Sequence, residues 1–78
     1  MSANNQFIIR KGKDDLFYGL DVDVDAYGEP ENQDYYDSKP FIFVAATLEE
    51  AIHKYYDYCD ELAEVGMYIE YGLAFEGI

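Results

Sequence analysis

Three stretches of this chain point to an α+β domain: a four-stranded, mainly antiparallel sheet with one helix packed on one face, in the order β-β-β-α-β. From Leu16 to Tyr27 two sets of residues alternate at period two, the signature of a strand. Thr47-Leu48-Glu49-Glu50 is a capping box, with Thr as N-cap and Glu three residues on, ahead of apolar residues at helical spacing. Phe41 to Ala46 is apolar throughout and reads as a strand covered on both faces. The 78 residues are expected to form a single domain, 1–78.

The elements follow in order. Residues 1–5 are polar and expected to fray. Gln6 to Lys11 reads as a first strand with Phe7 and Ile9 on one face. Lys11-Gly12-Lys13-Asp14-Asp15 is a turn, which makes the first two strands a hairpin. Leu16, Tyr18, Leu20, Val22, Val24 and Ala26 form one face of the second strand. Phe17, Gly19, Asp21, Asp23, Asp25 and Tyr27 form the other. Residues 28–40 read as a long acidic loop, opened by Gly28-Glu29-Pro30 and closed by Lys39-Pro40. Phe41 to Ala46 is the expected central strand. The helix runs from Leu48 to about Val65, with Gly66 as the residue that ends it. Its apolar stripe is Leu48, Ala51, Ile52, Tyr55, Cys59, Leu62 and Ala63. Met67 to Phe75 reads as the last strand, parallel to the third through a crossover, with Met67, Ile69, Tyr71, Leu73 and Phe75 facing inward. The helix is expected on the Val22 and Val24 face. The other face is left for Asp21, Asp23, Asp25, Tyr27, Tyr68 and Glu70.

Charge is the strongest compositional signal. Seventeen acidic residues against five basic ones give a net charge of −12. Such a balance repels nucleic acid and anionic membranes and attracts basic partners. It is also lopsided: Arg10, Lys11 and Lys13 lie in the first thirteen residues, and the remainder sets every acid against Lys39 and Lys54. The single Cys59 allows no intramolecular disulfide, and the sequence has neither a leader pattern nor a membrane span. A cytoplasmic protein is expected, without a membrane role.

Two acidic groups stand out. On a strand, Asp21, Asp23 and Asp25 project from one face about 6.6–6.8 Å apart. That is near the path of roughly 7 Å between neighbouring phosphates of a nucleic-acid strand rising about 3.4 Å per nucleotide. The same ladder fits a solvated face, or an edge guarded against aggregation. As a calcium loop it fails: Ala26 falls where the loop needs Gly, and Asn32 where it needs a bidentate Glu. On the helix, Asp57, Asp60, Glu61 and Glu64 lie opposite the apolar stripe as like-charge i,i+3 and i,i+4 pairs, each destabilising by about 0.2–0.5 kcal/mol. Glu61 and Glu64 also sit at the negative end of the helix dipole, which costs about 0.3–1 kcal/mol each at low salt. Acids placed against stability point to a role outside folding.

Tyrosines accompany the acids and favour interfaces, being large and amphipathic. Tyr27, Glu29, Glu31, Asp34, Tyr35, Tyr36 and Asp37 form one candidate contact stretch. Tyr58, beside Asp57 and Asp60, is another candidate, although core packing at the border of the apolar stripe suits Tyr56 and Tyr58 as well.

No enzyme is expected. His53 is the only histidine, and Cys59 lies on the apolar stripe, so no nucleophile has a base beside it. The chain carries no Gly-rich phosphate loop, Cys-x-x-Cys or His-x-His motif, so neither cofactor nor metal is expected.

In its size, its Asp21-Asp23-Asp25 ladder and its Asp57-Asp60-Glu61-Glu64 cluster, the chain resembles the small acidic inhibitors encoded by phages and mobile elements, the anti-CRISPR and anti-restriction proteins of the nucleic-acid-mimic type. The resemblance is one of class and carries over no motif residue by residue. It implies inhibition of a CRISPR effector or restriction enzyme in the host bacterial cytosol, with carboxylates facing the enzyme's basic nucleic-acid channel. The partner would then be a basic nucleic-acid-binding protein rather than nucleic acid itself. Two alternatives stay open: an immunity protein against a basic toxin nuclease, and a homodimeric structural or adaptor module that hides a sheet face.

Overall fold

A computed structural model describes residues 5–24 and 40–78. They form β1 (Asn5–Lys11), β2 (Phe17–Asp23), β3 (Phe43–Ala45), α1 (Leu48–Glu64) and β4 (Leu73–Glu76). The class is α+β. The four strands make one mixed sheet in the order β3-β2-β1-β4. β2 pairs antiparallel with both β1 and β3, while β4 runs parallel to β1. β3 and β4 therefore point the same way but are not neighbours. They lie at opposite edges, and α1 carries the chain across the two strands between them.

The hairpin turn is held by local bonds. The Gly12 amide donates to the Leu16 carbonyl at 2.8 Å, and the Leu16 amide donates to Asp14 Oδ1 at 3.1 Å. Asp15 takes the left-handed conformation, φ 65°, which Asp tolerates better than most residues. The Tyr18 hydroxyl donates to Asp14 as well.

β1, not the Phe41–Ala46 run, holds the centre of the sheet. Phe7, Ile8 and Ile9 are consecutive and all buried, so this strand is covered on both faces. β3 is a three-residue edge strand, and Phe41, Ile42 and Val44 are exposed. The run's apolar character is used on one side only, where Phe43 and Ala45 face the helix. Phe43 reaches inward because Gly19 makes room for it. A Cβ at Gly19 would stand 2.5 Å from the Phe43 ring.

The helix takes the face that the alternation of β2 did not suggest. α1 lies over Phe7, Ile9, Phe17 and Phe43, using Leu48, Ala51, Ile52, Tyr55 and Tyr58. The Phe7 ring meets those of Phe43, Tyr55 and Tyr58 at centroid distances of 5.6, 5.1 and 5.3 Å. Aromatic rings bury large apolar areas, and these contacts stabilise the packing of α1 on the sheet. Leu20, Val22 and Val24 are also buried, but on the opposite face, with Ile8, Tyr18 and Ala74. The expected assignment of faces is thus reversed, and Asp21 and Asp23 stand on the helix side.

The helix ends are as the sequence implies. Thr47 Oγ1 accepts from the Glu50 amide at 3.1 Å, and the Glu50 carboxylate reaches back to the Ala46 amide at 3.1 Å. At the far end Gly66, φ +76°, allows the Gly66 amide to reach Ala63 and the Met67 amide to reach Leu62. This is a Schellman closure. The last strand is shorter than expected. Residues 67–72 are irregular, Ile69 and Leu73 pack inward, and Met67, Tyr71 and Phe75 are exposed. Gly72, φ +74°, breaks the run just before β4.

Candidate functional site

The residues of the proposed acidic surface fall into three groups. Asp21 is half-buried beneath the helix and fully engaged. Its Oδ2 accepts from the Tyr58 hydroxyl at 2.7 Å, and its Oδ1 accepts from Asn5 Nδ2 at 2.9 Å. Asn5 is itself only 4% exposed, opens β1, and lies inside the stretch expected to fray. Its side-chain oxygen has no hydrogen-bond partner among the described residues. Asp21 therefore ties α1 to β2 and β1 rather than facing a partner. Tyr58 belongs to the same latch: its ring packs on Phe7, and its hydroxyl reaches inward. Asn5 escaped the sequence reading because an Asn beside a polar terminus gives no signal. The one clue is its register opposite Asp23, diagonal to Asp21.

The second group is open. Asp23 is exposed at the end of β2, and Asp57, Asp60, Glu61 and Glu64 are exposed along α1. Since Asp23 shares the helix side of the sheet with Asp21, it and the helix cluster present their charge on one side of the sheet. α1 carries no basic residue in its last turn, so nothing on the helix offsets the dipole's negative end. A shallow cleft runs between α1 and β3, lined by Ile42, Phe43, Lys54, Asp57, Tyr58 and Glu61. The third group, Asp25, Tyr27, Glu29, Glu31, Asp34, Tyr35, Tyr36 and Asp37, lies outside the described residues.

The phenols under the helix titrate abnormally. Burial, then the hydrogen bond to Asp21, raises Tyr58 well above the ordinary phenol range. Burial, then a hydrogen bond with the Cys59 thiol, pushes Tyr55 up to about 12. At the hairpin, the Tyr18 hydroxyl holds the Asp14 carboxyl below its usual value, with help from the Leu16 amide. These shifts follow from burial and from the hydrogen bonds to Asp21, Cys59 and Asp14.

Among the described residues, no group of three or more His, Cys, Asp and Glu side chains is placed to hold a metal ion. Among the same residues, no helix is long and apolar enough to cross a membrane. Comparison of the chain with protein-family models, with curated proteins and with solved structures finds no match.

Proposed function

We propose that this chain is a small acidic inhibitor that occupies the basic nucleic-acid site of a nucleic-acid-binding protein, a CRISPR effector or restriction enzyme, in the cytoplasm. The observation that carries the reading is the shared side: Asp23 and the four helix acids Asp57, Asp60, Glu61 and Glu64 are all exposed on the helix side of the sheet. A net charge of −12 steers the molecule towards a basic groove and raises the rate of encounter. The carboxylates then take the places of phosphates on Lys and Arg side chains. Asp21 supports this surface from below without joining it.

The test measures binding to a guide-loaded CRISPR effector and to a restriction enzyme, together with DNA cleavage by each. The expected result is inhibition of one of them, relieved by excess DNA. Binding should weaken sharply between about 0.05 M and about 0.5 M salt, as the screening length falls from about 14 Å to about 4 Å. Changing Asp57, Asp60, Glu61 and Glu64 together to Lys should abolish it, with the far-ultraviolet circular dichroism unchanged. Inhibition of neither enzyme class overturns the proposal, and so does binding that survives both the salt and the substitutions.

A further inference from the structure

The cleft between α1 and β3 joins features that a diffuse acidic surface does not need. One wall is apolar, Ile42 and Phe43; the other is the helix flank bearing Lys54, Asp57, Tyr58 and Glu61. Asp57 and Glu61 are one helical turn apart, which sets their Cβ atoms about 5–6 Å from each other. A flat guanidinium can lie between two carboxylates at that spacing and donate to both. Phe43 and Tyr58 add ring surface, which favours a guanidinium through stacking and accepts the aliphatic stem of a long cation. Lys54 supplies one positive charge at the N-terminal end of the cleft. It is seven residues from Glu61, about 10 Å along the helix axis. Two carboxylates against one ammonium leave the lining net negative. A cation between Asp57 and Glu61 also relieves their like-charge repulsion, which Lys54, three residues from Asp57, offsets from one end only.

We infer that this cleft is a seat for a single arginine side chain presented by the basic partner. The inference rests on the acidic-inhibitor reading and names its anchoring contact. Arginine suits the site better than lysine because its planar fork reaches two carboxylates and its face stacks on rings, whereas an ammonium is a compact, strongly hydrated point charge. Tyr58 is held in place for this role by its hydrogen bond to Asp21. The wall of the cleft is thereby set before the partner arrives, which lowers the cost of ordering it.

The experiment titrates the isotopically labelled chain with a capped Gly-Arg-Gly peptide and with its Gly-Lys-Gly counterpart, following backbone and side-chain resonances. Saturable shifts centred on Phe43, Asp57, Tyr58 and Glu61 are expected, with the arginine peptide binding more tightly than the lysine peptide. Two double variants carry the decision, because each removes the same charge. Asp57→Asn with Glu61→Gln should weaken arginine binding at least about tenfold, because both charge-assisted bonds become bonds to neutral amide oxygens. Glu49→Gln with Glu70→Gln, two exposed acids outside the proposed contact surface, should leave it nearly unchanged. Equal weakening by both variants, no preference for arginine, or no localised shifts overturns the arginine seat. None of these outcomes touches the broader reading, which fails instead when no CRISPR effector or restriction enzyme is inhibited.

Discussion

Asp21 shows how one position changes meaning between chain and fold. In the sequence it is the first rung of a ladder of carboxylates. In the structure both of its oxygens are engaged, by Tyr58 and by Asn5. Asp21→Ala leaves the buried Asn5 amide and the half-buried Tyr58 hydroxyl without their acceptor, and a cost of about 1–3 kcal/mol for each is expected in urea denaturation. Tyr58→Phe removes one bond and should cost about 1–3 kcal/mol on the same scale. A double change that removes both partners should cost less than the sum of the two single changes. The raised phenols add a pH test. A group whose pKa is higher in the folded state contributes stability that is complete below its unfolded value, near 10 for Tyr, and is lost as pH rises through the folded value. For Tyr55 that loss runs from pH 10 to about 12, and for Tyr58 it continues further. Alkaline unfolding followed by circular dichroism should therefore begin above pH 10. Tyr58→Phe should show a shallower decline, and an identical curve would refute the latch.

At the scale of elements, the helix is stable at its caps and frustrated along its outer face. Glu61 and Glu64 lie beside a helix end without any basic residue in the last turn. Changing both to Gln should raise the melting temperature by several degrees, since about 1 kcal/mol shifts a domain of this size by roughly 4–8 °C. No rise would show that solvent screening already removes the repulsion. The opposite change is expected at Gly19, which leaves space for the Phe43 ring. Gly19→Val should displace that ring and destabilise by about 1–3 kcal/mol, seen as a lower denaturant midpoint. Much of this scale is legible in the chain. The capping box, Gly66, the hairpin turn and the first strand can all be placed from local residue chemistry. The short third strand and the irregular stretch 67–72 could not. The first run is apolar throughout and the second alternates, but the sheet has no covered position for Ile42, Val44, Met67 or Tyr71.

For the whole molecule, the net charge of −12 bears on stability. Like charges gathered on one side repel each other in the compact state more than in the extended chain. Raising the salt from about 0.01 M to about 0.5 M shortens the screening length from about 30 Å to about 4 Å and should raise the melting temperature. A fall would mean that favourable pairs such as Arg10–Glu76, 3.1 Å apart, outweigh the repulsion.

The sequence by itself determined the α+β class, the order of elements, the ends of the helix and the acidic character of its outer face. Each of these depends on contacts or spacings within a few residues. Only the tertiary structure decided which strand is central, that β4 joins β1, and which face of β2 the helix covers. Those choices turn on how Phe7, Phe43, Tyr55 and Tyr58 fit together across long separations, and period-two alternation is blind to them because it separates two faces without saying which neighbour each will meet. The same packing sends Asp21 under the helix and leaves Asp23 in solvent, and so divides a uniform ladder into a structural rung and an exposed one.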